Sequence, residues 1–255
     1  FQEVDLAAAF RSVAAWSQTV LRDSRPAELM SLALKHAILE RDVAHLIFPN
    51  EVQSLRAPEG AEPSGPEGRI APLDIAPSRE SVDHALELLR AAKRPAIIVG
   101  HGARFRMDRI VELAERLRCP VITTFKGKGL IADSHPQGCG VLGRSGTLVT
   151  SHFMQQADLL VVFGASFSQH TGIAQDKPTI HVDYDPMMLG KFHPVTVPVY
   201  GEIGITTGLF LDGLGQTAAV DLRPEIAAKW EEWRAEKARR AAIRPDGRLN
   251  SAEVF

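Results

Sequence analysis

Glycines, small polar residues and scattered cations recur directly after short apolar runs, and these are the positions at which the chain could do chemistry. In order they are Gly100-His101-Gly102-Ala103-Arg104, Thr124-Phe125-Lys126-Gly127, Gly164-Ala165-Ser166, Asp183-Tyr184-Asp185 and Gly201-Glu202. If the runs are parallel strands, a ligand meets the residues just beyond their carboxyl ends. Gly100-His101-Gly102 would let backbone approach a phosphate or a ring where a side chain would clash. A third fingerprint glycine is absent there, because Phe105 holds its place. The full G-x-G-x-x-G match, Gly138-Cys139-Gly140-Val141-Leu142-Gly143, follows Ser134-His135-Pro136 rather than a strand and so fails the structural test of a dinucleotide motif. It reads as a glycine-rich loop leading through Arg144-Ser145-Gly146-Thr147 to a helix N-terminus, whose amides can receive a phosphate. Asp183 has two readings that spacing does not separate, an acceptor for ribose hydroxyls or, with Asp185, the cap of a turn. Lys126 and Lys128 either meet a pyrophosphate or are simply solvated.

Other chemistries fall away. His101, His170 and His181 lie near the ends of apolar runs but make no ligand spacing with Cys or Asp, so no metal is expected on this chain, and His181 reads as a core residue. Ser145 misses the nucleophile-elbow pattern because its second glycine comes too soon. Cys119 and Cys139 supply neither a disulfide framework nor a four-cysteine zinc site, which points to a reducing cytoplasm and disfavours an NAD-dependent deacylase with a zinc module. With 29 Lys+Arg against 31 Asp+Glu there is no global basic field for nucleic acid. The apolar runs at 96–99 and 159–163 are far short of the ~20 residues of a membrane helix. The chain opens on Phe1-Gln2-Glu3-Val4-Asp5, with no Met and no basic segment before an apolar core, and is read as starting at a cut end.

The elements that must hold these loops follow from periodicity. Residues 28–41 have helical spacing and 44–49 read as a strand, too little to bury a core alone, so the first fifty residues are expected to be the edge of something larger. Residues 55–77 form a proline- and glycine-rich strap carrying Pro58, Pro63, Pro66, Pro72 and Pro77 with Gly60, Gly65 and Gly68. Ser78 is expected to cap one helix and Asp108 another. Strands are expected at 96–99, 121–123, 159–163, 179–183 and 197–200, with short helices near 149–156 and 186–191. Short apolar runs alternating with helices predict an α/β fold, a doubly wound, mostly parallel sheet of five or six strands over residues 78–219. Residues 224–240 read as a helix whose Trp230 and Trp233 cover a neighbouring surface, and Pro245-Asp246-Gly247 as a turn in an exit arm.

Phe1-Gln2-Glu3, Ala92-Lys93-Arg94-Pro95-Ala96, Pro120-Val121-Ile122-Thr123-Thr124-Phe125-Lys126-Gly127-Lys128-Gly129, Gly140-Val141-Leu142-Gly143, Ala157-Asp158-Leu159-Leu160 and Ile180-His181-Val182-Asp183-Tyr184-Asp185-Pro186 occur in this order. Together they resemble the middle portion of the thiamine-diphosphate enzymes of the acetolactate synthase and pyruvate oxidase group, over residues 1–214. The resemblance implies a Rossmann-like, six-stranded central domain at 78–219. Residues 1–54 would be the edge of a pyrimidine-binding domain, 55–77 a linker, and 220–255 an exit helix and linker toward a pyrophosphate-binding domain. It also implies a homo-oligomeric parent in which a thiamine ylide adds to a small 2-keto acid and carbon dioxide is lost. Thiamine diphosphate and magnesium would be held outside this chain, since the family's Gly-Asp-Gly motif does not occur in it, and the chain alone is expected to carry no catalytic residue.

In the oxidase and synthase branches the central domain holds FAD. The matching positions are Gly100, His101, Gly102, Thr124, Phe125, Lys126, Gly143, Arg144, Ser145, Gly164, Ala165, Ser166, Asp183, Tyr184, Gly201 and Glu202. Two departures weigh against a synthase. Ser166-Phe167-Ser168-Gln169 stands where that branch has an arginine and acids, a planar cation lost, and Glu202 stands where Asp is usual. The 43–49 segment and the Gly100 loop look closer to pyruvate oxidases and quinone-linked pyruvate dehydrogenases. The alternative is a structural or ADP-binding central domain of an acetolactate synthase-like or other thiamine-diphosphate enzyme.

Overall fold

A computed structural model describes residues 4–57, 59–60 and 67–243. The resemblance at Phe1-Gln2-Glu3, the strap residues Pro58, Pro63, Gly65 and Pro66, and the expected Pro245-Asp246-Gly247 turn lie outside the described residues. The chain divides into two compact units, Phe1–Pro72 and Leu73–Phe255.

The first unit contains α1 (Leu6–Phe10), β1 (Trp16–Thr19), α2 (Pro26–Glu40), β2 (Ala44–Ile47) and α3 (Asn50–Gln53). Proline in the first turn starts α2 at no cost in hydrogen bonds, and Arg41 ends it in the left-handed region at φ 54°. The strands pair in parallel, Trp16 opposite Ala44 and Thr19 opposite Ile47. Among the described residues of this unit, Val20 and Ala33 are the buried hydrophobics, while Met30, Leu32, Leu34, Ile38 and Leu39 of α2 stay exposed.

The second unit is α/β, as expected. Its elements are α4 (Arg79–Ala91), β3 (Pro95–Val99), α5 (Met107–Leu117), β4 (Val121–Thr123), β5 (Gly138–Val141), α6 (Leu148–Gln156), β6 (Leu159–Phe163), β7 (Thr179–Asp183), β8 (Val197–Tyr200), α7 (Ile203–Leu214) and α8 (Arg223–Ala241). The six strands form one all-parallel sheet in the order β5-β4-β3-β6-β7-β8. This is the doubly wound order in which the chain starts at the middle, runs to one edge and then returns past its start to the other.

Strand alternation sorts the core into two layers. On one face Ile97 and Val99 of β3 and Val161 and Phe163 of β6 pack with Leu86 and Leu89 of α4, Ile110 and Leu113 of α5, and Phe210 and Leu214 of α7. On the other, Ile98 and Leu160 pack with Val149 and Phe153 of α6 and with Ile226 and Trp230 of α8. Helices on both faces are why β3 and β6 are apolar at every position.

Ser78 caps α4 by accepting from the Ser81 amide at 3.2 Å. Three expectations are corrected. Asp108 does not cap α5: Arg106 holds that position without a side-chain bond, and Asp108 lies in the first turn, where its charge suits the helix dipole. No helix forms near 186–191; the residues make turns, the Asp185 carboxylate taking the Met187 amide at 2.9 Å and Gly190 adopting φ 63°. The glycine-rich run at 138 is not a loop but the edge strand β5 itself. No described helix is long and apolar enough to cross a membrane.

Candidate cofactor crevice

β3 and β6 are neighbours in the sheet yet lead the chain in opposite directions across it, so the loops beyond their carboxyl ends part and leave a crevice. The loops first interlock. The Gly102 amide donates to the Gly164 carbonyl at 3.0 Å and the Gly100 amide to the Phe163 carbonyl at 2.9 Å. A Cβ on Gly100 would lie 2.2 Å from the Gly164 oxygen, and one on Gly164, at φ 56°, would lie 2.6 Å from the Gly102 carbonyl carbon. The loop after β4 joins them: Thr124 donates its amide to the Val99 carbonyl at 2.9 Å, and a Cβ on Gly127 would meet that same oxygen at 2.7 Å. The glycines are therefore required by the approach of loop to loop.

Above this knot lies a cavity of about 280 Å³. Eight of the residues expected from sequence line it, namely Gly100, His101, Thr124, Phe125, Lys126, Gly164, Ala165 and Ser166, together with Ser168, His170 and Thr171. His101, Phe125, Lys126, Ser166 and His170 are exposed at its mouth. The lining has cationic or cationisable groups in Lys126, His101 and His170 and no carboxylate. The backbone amides of His101, Phe125, Ala165 and Ser166 donate to no acceptor among the described residues. Free amides, hydroxyls and cations around a carboxylate-free hollow make an environment for an anion, and the exposed Phe125 ring offers a face on which a planar group can stack.

The remaining expected residues surround the cavity without lining it. Gly102 belongs to the knot. Gly143, at φ 118°, abuts the cavity wall, for a Cβ there would sit 2.6 Å from the His170 carbonyl oxygen; Arg144 and Ser145 beyond it are exposed. The Asp183 carboxylate takes the Asp185 amide at 2.9 Å, the turn-capping reading of that residue, and the Tyr184 ring lies 6.4 Å from that of Tyr200. Gly201 is packed against Pro77 and Thr206. Glu202 caps α7 through the Ile205 amide at 2.8 Å and pairs with Arg106 at 2.7 Å. Burial raises its pKa, but the Ile205 amide, the Arg106 guanidinium and the Gly204 amide outweigh that and hold the carboxyl below its ordinary value.

Ser168, His170 and Thr171 were not singled out from sequence as binding residues. Their signal was available: they follow Gly164-Ala165-Ser166 on the same strand-end loop. Lys128 faces Asp133 at 3.6 Å rather than the cavity. The described residues contain no group of three or more His, Cys, Asp or Glu able to hold a metal. Cys119 and Cys139 are free and buried, and desolvation pushes both thiols well above their usual pKa.

Residues 82–212 match the family described as thiamine pyrophosphate enzyme, central domain. The chain is 30% identical to the thiamine pyrophosphate-containing protein YdaP of Bacillus subtilis over 201 residues, 77% of this chain and 34% of that protein. It is 31% identical to the acetolactate synthase isozyme 1 large subunit of Escherichia coli over 170 residues, 65% of this chain and 28% of the relative. It is 29% identical to sulfoacetaldehyde acetyltransferase of Rhodobacter capsulatus over 243 residues, 90% of this chain and 40% of the relative. The chain thus spans roughly a third of the length of such relatives. A six-stranded, doubly wound sheet with a crevice at its switch point, and a family match across that sheet, lead to one conclusion: the chain belongs to the thiamine pyrophosphate enzyme family, of which it carries the central domain.

Proposed function

We propose that this chain is the central domain of an acetolactate synthase-like, thiamine-diphosphate-dependent enzyme and that its crevice takes the ADP portion of a nucleotide cofactor. In the parent, thiamine diphosphate with magnesium would supply the ylide that attacks a small 2-keto acid. Both would be held outside this chain, and the parent would be a homo-oligomer. Residues 1–54 then belong to the edge of the pyrimidine-binding domain, a role that suits the exposed apolar residues of α2. The recurrence of acetolactate synthases among the relatives supports this branch over the pyruvate oxidase branch suggested by the 43–49 segment and the Gly100 loop.

The single observation that carries the cofactor reading is the convergence of three strand-end loops on one carboxylate-free cavity with unpaired amides. At about 280 Å³ the cavity lies near the lower end of the roughly 300–1,000 Å³ of ligand sites. That size suits an adenosine diphosphate moiety better than a whole flavin dinucleotide. FAD fits if its flavin end extends past the exposed residues beyond the cavity mouth; ADP alone fits without extension.

The test is a titration of the 255-residue chain with FAD, ADP and FMN. FAD and ADP should bind with similar affinity and compete, while FMN, which lacks the adenylate, should not bind. Equal binding of FMN, or no binding of either adenylate, would overturn the reading. An FAD affinity much above that of ADP would instead assign the flavin end its own contacts.

A further inference from the structure

Behind the crevice, three rings form a cluster, one pair tilted at 53° and the other edge-to-face at 75°, that the cofactor reading leaves unused. The loop from β6 to β7 supplies Ala165, Ser166, Ser168, His170 and Thr171 to the cavity wall, and between them Phe167 turns inward, 5% exposed. Its ring lies 4.6 Å from that of His181 and 4.6 Å from that of His193. His181 is on β7 and fully buried. Its Nδ1 accepts from the Gly190 amide at 3.5 Å, so in the neutral ring the proton is on Nε2. That Nε2, and both ring nitrogens of His193, are buried without a hydrogen-bond partner.

We propose that this His181–Phe167–His193 ring cluster links ligand occupancy of the crevice to protons, the loop closing the cavity wall only while the His181 imidazole is neutral. The link rests on the cofactor reading for its ligand and on the geometry around His181 for its direction. Protonation of His181 must occur at Nδ1, which turns an acceptor into a donor facing the Gly190 amide and abolishes that bond. The new charge has no counter-ion among the described residues. On the flanking strands His181 stands opposite Val162 and Pro198. On its own strand the Asp183 carboxylate is engaged by the Asp185 amide. From the turn leading to β8, Lys191 is exposed, its ammonium near Met188 and the Phe192 ring. On the β6–β7 loop, His170 faces the cavity. The ionisable neighbour acting on His181 is His193, which repels it once charged. A buried, unpaired charge is relieved by admitting water, and the ring whose displacement admits it is Phe167, which carries the cavity wall with it. A ligand that needs the closed wall then competes with protons.

The sign separates this device from the cavity's own histidines. A positive charge on the cavity lining at His101 or His170 would attract a phosphate and tighten binding; a charge in the ring cluster loosens it. FAD affinity of the full chain is measured from about pH 7 to about pH 4, the value to which burial lowers the His181 pKa. FAD serves because its pyrophosphate, unlike the terminal phosphate of ADP, does not titrate there. Affinity should fall at least three-fold on acidification, and His181→Phe should bind FAD at about pH 7 as the parent chain does while losing the pH dependence. Tighter binding in acid, or an unchanged fall in His181→Phe, would overturn the proposal.

A ligand-free arm decides the matter independently. Hydrogen-exchange protection of the Gly190 amide and of the Thr171 amide, which donates to the Ser168 carbonyl at 2.9 Å, is followed over the same span in the unsubstituted chain. Protection factors corrected for intrinsic exchange should fall as pH falls. Flat protection at both amides would overturn the ring cluster as a proton-sensitive element even if His181→Phe failed to fold. Absence of FAD binding at every pH would count against the cofactor reading alone, since this second arm uses no ligand.

Discussion

Single residues decide whether the crevice exists. Gly100 and Gly208 are the same residue type under opposite constraints: a Cβ on Gly100 would meet the Gly164 carbonyl oxygen at 2.2 Å, while one on Gly208, in α7, would meet nothing within 4 Å. Gly100→Ala should therefore force the two loops apart and destabilise the chain by about 3 kcal/mol, with loss of adenylate binding. Gly208→Ala should stabilise it by roughly 0.5–1 kcal/mol through helix propensity. Urea titration of the two variants measures both, and a neutral Gly100→Ala would refute the interlocked-loop account. His181 gives the second residue-scale prediction. Desolvation lowers its pKa to about 4, His193 adds to the shift, and the Ala165 carbonyl partly opposes it without reaching hydrogen-bond geometry. Since the ordinary histidine value is 6.5, the unfolded chain binds the proton first. The associated stability is complete above about pH 6.5, is lost as pH falls toward 4, and amounts to about 3 kcal/mol at most. Urea midpoints across that window should fall less in His181→Phe than in the unsubstituted chain; parallel curves would show that the burial of His181 is not a source of acid sensitivity.

At the scale of elements, what the sequence made legible depended on whether side chains carried the pattern. β3 and β6 were readable because burial on both faces leaves them continuously apolar. β5 was not, because Gly138-Cys139-Gly140-Val141 has two glycines among its four residues and little side-chain pattern, and its status as a strand comes from its pairing with β4. α7 was hidden likewise by Gly204, Gly208 and Gly213; at Gly213 a Cβ would lie 2.5 Å from Leu86, so close packing on α4 explains that residue. The turns at 186–191 read as a helix because Met187, Met188 and Leu189 supply a short apolar run, yet Met187 is 76% exposed and the other two are only partly buried. The crevice glycines were legible as functional punctuation, whereas their reason, backbone packing against backbone, is a property of the sheet order. α8 tests this scale. Its tryptophans are read from sequence as covering a neighbouring surface, and Trp230 is buried, its Nε1 donating to the Gly138 carbonyl at 2.7 Å and tying α8 to the edge strand. Trp230→Phe should cost about 1 kcal/mol for the lost hydrogen bond and Trp230→Ala about 3–5 kcal/mol, both read from urea midpoints. Equal small losses would mean that α8 does not cover the core.

Across the whole molecule the two units differ in kind. The second has two hydrophobic layers separated by a six-stranded sheet, with β3 and β6 at its centre wholly buried. The first pairs two four-residue strands and leaves most of the apolar residues of its longest helix in water. A two-stranded sheet is marginal without a covered face, and local stability follows buried apolar contact and protected hydrogen bonds. The chain should thus not unfold as one cooperative body. In native-state hydrogen exchange, the amides of Gln18 and Ile47, on β1 and β2, should exchange through openings that cost much less than global unfolding, while those of Ile98 and Val162 should exchange only with it. Adding an adenylate at saturating concentration separates the units further, because ligand stabilises only what binds it, by about 2.7 kcal/mol at a hundred times Kd. Protection of Ile98 and Val162 should rise by that amount while that of Gln18 and Ile47 stays fixed. A uniform rise through both units would show that they fold as one body and that the crevice draws its stability from residues 4–57 as well as from the sheet.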